Sequence, residues 1–512
     1  MKQLKPISQT TTVALEGIKA IEVDVQTQLR SGGQPIFQVI GLPDGAVKES
    51  KERIQAAFHS LGIQMPSQKV IVNLAPADLS KYGSHYDLPM AIGILVLLGV
   101  LPSDCAENSL FMGELSLDGS IRHVPGCLPA GIFAVQNNIG KVYVPTANAA
   151  ETAWAGDVDV YAIDDLQQLI EHLKGDVMIK ETRPKALDIE DKKLKIDFAD
   201  IKGQESAKRA AEIAAAGGHN LLMNGCPGSG KSMIAQAMVG ILPSLSAEEA
   251  LEASMIHSIA GTLDSQVGLL TDRPFCDPHH SMSAVALTGG GHKANPGQMS
   301  LAHRGVLFLD ELPEFPRNVL ETLRQPLETG YVVISRANAH VKYPARFQLI
   351  AAMNPSPCGY LGHPTIPCVS TPKQIQAYRN KLSGPLLDRI DLHVNVQPVD
   401  LKDLSIPKAK DDSAAIRKRV ENARLIQVQR YKEYGFKTNA EASGSILDEV
   451  LELDDKCREI LERADKAFAL SARGYYRCLK VARTIADLEA SAKIDSKHLV
   501  EALNYRYIPY IG

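Results

Sequence analysis

Gly225-Cys226-Pro227-Gly228-Ser229-Gly230-Lys231-Ser232 sits between the apolar run Asn220-Leu221-Leu222-Met223-Asn224 and an amphipathic stretch from Met233 to Leu242. The order is strand, glycine-rich turn, helix, with the spacing GxxxxGK[ST], and it decides the fold at the centre of the chain. The glycines let backbone N–H groups curl round a polyphosphate. Lys231 supplies a point charge to the β and γ phosphates, and the Ser232 hydroxyl ligates Mg²⁺. The helix that follows turns the positive end of its dipole to the same phosphates. The stretch predicts a site for a nucleoside triphosphate.

Downstream stretches supply the groups such a site needs. Gly305-Val306-Leu307-Phe308-Leu309-Asp310-Glu311 predicts a buried strand ending in two carboxylates. Asp310 suits the Mg²⁺ shell, and Glu311 suits polarising the water that attacks the γ-phosphate. Phe347 to Asn354 predicts a second buried strand, whose terminal amide suits orienting that water, although Asn354 before Pro355 also fits a plain turn. Arg389, in Leu386-Leu387-Asp388-Arg389-Ile390-Asp391, fits either a local ion pair or an arginine finger reaching a neighbouring subunit's γ-phosphate.

The 512 residues exceed one ordinary core and predict roughly two to four domains. Residues 1–178 mix β-branched runs with helical patterns at 47–61 and 88–98, an α+β unit. Residues 179–196 are charged and aperiodic, a linker. Residues 197–395 alternate strands and helices, predicting a mostly parallel sheet, and residues 396–512 run helical. A net charge of −4 gives no global drive toward nucleic acid, so any such contact must use local basic loops. Eight scattered cysteines and an N-terminus without an apolar core predict a reducing cytoplasm. The most apolar stretch, 88–101, is too short to span a membrane and predicts a buried helix.

In order and spacing, the phosphate loop, Asp-Glu strand, Asn strand, Leu-Leu-Asp-Arg and helical lid resemble AAA+ ATPases of the magnesium-chelatase-like clade. Three stretches narrow the resemblance to the ComM/YifB-type proteins over essentially the whole chain: 273–280 (RPFCDPHH), 289–297 (GGGHKANPG) and 301–315 (LAHRGVLFLDELPEF). The resemblance implies an α/β multidomain chain with a Lon-protease-like α+β region, an αβα AAA+ core and a helical lid. It implies ATP and Mg²⁺, with two insertions lining a ring's central channel. These bring Lys293 in the loop 289–297, and Arg336, His340 and Lys342 in the strand-turn-strand 331–346, as sequence-independent phosphate-backbone contacts. It also implies that Arg473, at the start of the lid helix, contacts the nucleotide of its own subunit, with Arg477 and Arg483 as alternatives.

The chain departs from this family in two places. Relatives often carry a four-cysteine cluster after the Asn strand, which would suit zinc. Here two of its positions are Ser356 and Ser370, leaving Cys358 and Cys368 with His363 nearby, and no structural zinc is expected. His279-His280 is read as structural, with no metal. The N-terminal region resembles the fold of Lon and RadA at 78–88 and 113–122, but the spacing puts Tyr86 and Val124 at the nucleophile and base positions. Neither can serve, and Ser84 with Lys81 is a weak substitute, so a non-proteolytic collar is expected. The resemblance therefore implies a hexameric branch-migration helicase of natural transformation and homologous recombination. It would act on single-stranded and branched DNA with recombination proteins as further partners and no membrane. A protein-remodelling ATPase of magnesium-chelatase type is the alternative.

Overall fold

The computed structural model describes residues 7–31, 36–185, 196–291, 294–336, 339–398, 411–468 and 471–506. The fold is α/β, with a parallel-sheet core and a helical C-terminal region.

The phosphate-loop strand Leu221–Gly225 is flanked by Gln348–Met353 and Leu392–Val396. Val306–Leu309 and then Phe275–Cys276 extend the sheet beyond Gln348–Met353, and every pairing is parallel. Alternate residues face opposite sides, as strand geometry requires. Leu221, Met223, Val306, Phe308, Ile350 and Ala352 enter one apolar cluster, and Leu222, Leu307, Leu309, Leu349 and Ala351 enter the other. A sheet buried on both faces explains why these strands read as unbroken apolar runs. The first face carries helices Glu205–Gly217 and Lys231–Ile241, together with C-terminal helices. The second carries the insertion hairpin Tyr331–Arg336/Ala339–Pro344 and the helix Arg317–Thr322.

The C-terminal helices are tied to the core by polar groups as well as by packing. Side chains donate to the terminal carbonyls of helix Glu205–Gly217. Gln348 donates to Ala214 O (2.8 Å), Arg424 to Ala215 O (2.7 Å) and Gln427 to Ala216 O (3.1 Å). Arg424 and Gln427 belong to helix Ser413–Arg430. In helix Ala472–Leu488, Thr484 Oγ1 meets His219 Nε2 at 2.8 Å, and buried Asp487 pairs with Arg430 and Arg483.

An eight-stranded mixed sheet forms the N-terminal region. Its order is Glu181–Thr182, Asp159–Ile163, Lys141–Pro145, Ser109–Phe111, Ile7–Glu16, Lys19–Arg30, Lys69–Ala75, Phe37–Ile40. The predicted helices are present as Gly45–Ser60, where Asp44 caps Val47 N, and Asp87–Leu97, buried along most of its length. The linker expected at 179–196 includes residues that join the sheet. Glu181–Thr182 joins the sheet antiparallel to Asp159–Ile163, and residues 186–195 lie outside the described residues. This region also touches the core. Gly126 N donates to Ser258 O at 3.0 Å, and the turn at Gly17 meets the insertion hairpin, where a Cβ on Gly17 would lie 3.0 Å from Val341.

Candidate nucleotide site

In a parallel sheet, the loops that leave the carboxyl ends of the strands gather at one edge. Here they carry the phosphate loop after Gly225, Asp310 and Glu311 after Leu309, Asn354 after Met353, and His279-His280 after Cys276. Gly228 (φ +75°) and Gly230 (φ +91°) take left-handed backbone that a side chain would strain, and a Cβ on either would project into open space. Gly230 caps helix Lys231–Ile241. The loop therefore offers an open cradle of N–H groups at a helix start, which fits a triphosphate.

Lys231 is buried beneath that cradle. Its Nζ donates to Gly225 O (2.7 Å) and Cys226 O (3.0 Å) and lies 3.3 Å from Asn354 Oδ1. Burial pushes the ammonium's pKa below its usual range, and Asp310 opposes that shift. Ser232 Oγ donates to Asp310 Oδ2 at 2.8 Å. A hydroxyl and a carboxylate held side by side are the hard oxygen donors that Mg²⁺ prefers. Ser232 and Asp310 would hold the ion, which would neutralise developing charge on the phosphate oxygens when bound. Gln204 Nε2 reaches Ser229 O at 3.2 Å and fastens the loop to the helix behind it.

Glu311 takes left-handed backbone (φ 50°, ψ 46°), and its N–H donates to Asp310 Oδ1 at 2.8 Å. Its carboxylate lies 3.4 Å from His280 Nδ1, a contact the sequence reading missed by treating the histidine pair as structural. Nearby, burial raises the Asp277 carboxyl pKa, and Asp310 adds to the rise. The adjacent motif residue Arg273 has a packing role. It donates to Pro243 O and Arg304 O (both 2.6 Å) and pairs with Glu249 at 3.0 Å.

The arginines assemble elsewhere. Asp391 N and Leu392 N both donate to Asn220 O, at the start of strand Leu221–Gly225, so Arg389 lies at the opposite end of the sheet from its own phosphate loop. Four residues of strand at about 3.3 Å each put roughly 13 Å between those ends. Arg389 is 8% exposed, donates to Pro385 O at 2.7 Å and pairs with Glu328 at 2.8 Å. Arg473, 62% exposed, pairs with the same carboxylate at 3.1 Å. Arg473 thus stands beside Arg389, at the end of the sheet away from its own phosphate loop. The two alternatives are engaged internally. Arg477 lies 3.5 Å from Asp391, and Arg483 bonds Asp487 and the carbonyls of Ser491 and Ala492.

Of the channel-loop residues, Lys293 lies outside the described residues. Gly289–Gly290 pairs with Asn295–Pro296, and a Cβ on Gly289 would lie 3.0 Å from Ile334, so the two insertions meet. Arg336 and His340 fall on the paired strands of the hairpin, in register with Ala339 and Ser335. Lys342 Nζ sits 3.6 Å over the Tyr331 ring. In the N-terminal region, Ser84 Oγ bonds Glu114, and Lys81 Nζ bonds Pro76 O, so each is engaged away from the other. Among the described residues no helix is long and apolar enough to cross a membrane.

Three family models match the chain. Magnesium chelatase, subunit ChlI covers residues 197–404, Subunit ChlI of Mg-chelatase covers 21–148, and the ChlI C-terminal model covers 410–506. Competence protein ComM of Haemophilus influenzae is 42% identical over 96% of this chain and 95% of its own length. The Escherichia coli protein YifB is 41% identical over 98% and 97%. The magnesium-chelatase 38 kDa subunit of Cereibacter sphaeroides is 28% identical over 31% of this chain and 52% of its own length.

Proposed function

The chain belongs to the ComM/YifB family of magnesium-chelatase-like AAA+ ATPases, and on that premise we propose that it is a hexameric, ATP-driven motor that migrates branched DNA during uptake and recombination. The competence protein among its full-length relatives supports the DNA assignment. The observation that carries the ring is the separation of Arg389 and Arg473 from their own phosphate loop. Two arginines on one carboxylate at the far end of the sheet serve a nucleotide held by the adjacent subunit.

In this reading, residues 1–178 form a collar, 179–196 its connection, 197–395 the ATPase and 396–512 the lid. Lys231 and the loop N–H groups bind the β and γ phosphates. Glu311 takes up the proton of the attacking water, which Asn354 orients. Arg389, with Arg473, neutralises charge that grows on the phosphoryl oxygens. The hairpin and the loop 289–297 carry motion to the DNA through Lys293, Arg336, His340 and Lys342, contacts that weaken with salt.

Subunit mixing tests the arrangement. Lys231→Ala and Arg389→Ala should each hydrolyse ATP poorly alone. Mixed one to one, they should recover roughly a quarter of the unmutated rate, because that share of interfaces joins an intact loop to an intact arginine. No recovery from a mixture that assembles would remove Arg389 from the neighbour's site.

A further inference from the structure

After the Asn strand, four side chains that the nucleotide chemistry does not use converge from the two ends of one loop. Cys358 Sγ lies 3.3 Å from Cys368 Sγ and 3.3 Å from Ser356 Oγ, and Cys368 Sγ lies 3.7 Å from Ser356 Oγ. Cys358 N donates to Ser370 Oγ at 3.2 Å. Ser356 is fully buried, whereas both thiols are partly accessible. Two of the four positions thus offer hydroxyls, which are poor ligands for zinc. Among the described residues, no group of three or more His, Cys, Asp or Glu side chains is placed to hold a metal.

What the substitution leaves is a vicinal pair of thiols with hydroxyl donors around it. A disulfide of about 2.05 Å is reached by closing the sulfurs roughly 1.2 Å, a side-chain movement. We propose that Cys358 and Cys368 form a reversible redox site whose oxidant is a low-molecular-mass disulfide. Cys358 attacks one sulfur of the oxidant R–S–S–R, whose S–S bond breaks to release RS⁻ and leave a mixed disulfide. Cys368 then attacks Cys358 Sγ and expels the second RS⁻. The pair loses two electrons to the oxidant; the Cys368 proton ends on one released thiolate, and the proton that Cys358 gave to solvent on ionising ends on the other, giving two RSH.

The serines suit this chemistry. Hydrogen bonds from Ser356, then Ser370, stabilise the Cys358 thiolate and bring its pKa down to about 5, so it is ionised at neutral pH. Such a thiolate is a good leaving group as well as an attacking one, which keeps the bond exchangeable in a reducing compartment. The site also abuts the phosphate loop. A side chain at Gly359 would begin 2.7 Å from Pro227 Cγ, and Asn354, near Lys231 Nζ, lies four residues before Cys358. This coupling rests on the nucleotide reading, whereas the dithiol does not.

The test equilibrates the full-length chain with graded ratios of reduced and oxidised glutathione, quenches it in acid, alkylates free thiols and maps the unreduced digest. A Cys358–Cys368 cross-linked peptide should accumulate as the oxidised share rises, reverse on dilution into reduced glutathione, and vanish in Cys358→Ser and Cys368→Ser. Free thiols throughout, glutathione adducts without the cross-link, or one zinc per chain as purified would each overturn the site. Oxidation should also weaken ATP binding several-fold, and Cys368→Ser should abolish that effect. A cross-link that forms without changing ATP affinity would overturn the coupling.

Discussion

In the proposed mechanism hydrolysis turns on Glu311, and its backbone is left-handed there, which a non-glycine residue adopts at a cost of about 1 kcal/mol or more. The N–H bond to Asp310 helps hold that conformation, so the two acids are fixed as a unit with the Ser232 hydroxyl. Glu311→Gln keeps the shape and removes the base. ATP hydrolysis should fall about a hundredfold or more while nucleotide affinity stays within a few fold, as a rate assay beside a nucleotide titration would register. His280 Nδ1, 3.4 Å away, is placed to position this carboxylate. His280→Ala should lower kcat a few fold, as expected when a partly exposed 3.4 Å contact to the carboxylate is lost, with little change in KM, and His280→Asn should restore part of it. An effect on KM alone would assign His280 to binding instead. That Lys231, Ser232, Asp310 and Glu311 gather at one edge was legible in the sequence because each lies within a contiguous, spaced motif. His280 was not, because its partner is set by which strands are neighbours in the sheet.

At the scale of elements, strand patterns alternating with helical ones around a phosphate-loop turn were enough to expect a mostly parallel sheet. The lid was harder to read. Arg473 and Glu328 are 145 residues apart, and only the packing of helix Ala472–Leu488 beside the core decides that they meet. The join between the last strand and the lid also holds a titratable group with a consequence for stability. His393 is buried in strand Leu392–Val396, with Nε2 unsatisfied. Burial pushes its imidazole down to about 4, and the nearby Arg506 adds to the shift. An unfolded histidine titrates near 6.5. The folded value is the lower one, so as pH falls the unfolded chain takes the proton first. Stability is intact above about pH 6.5 and declines toward pH 4, with a ceiling for this residue of about 3 kcal/mol. Burial shifts His123, His172, His257 and His303 in the same direction. Urea unfolding at pH 7 and pH 4.5 should therefore show a loss that His393→Gln reduces but does not abolish. An unchanged difference would mean that His393 takes up its proton without unfolding.

On the scale of the whole molecule, the parts of the proposed motor meet within one chain. The N-terminal turn at Gly17 rests on the hairpin, the hairpin touches the loop at Gly289, and the lid holds Arg473 beside Arg389. Nothing in composition foretold these meetings, since a chain of net charge −4 carries no global mark of a nucleic-acid partner. The most direct test of the account is branch migration of a labelled four-way DNA junction by the full-length chain with ATP and Mg²⁺, run beside Glu311→Gln. The account predicts separated product from the unmutated chain, none from Glu311→Gln, and ATP consumption that rises when the junction is added. ATP consumed at a rate indifferent to DNA, with the junction left intact, would contradict it and favour an ATPase that remodels protein.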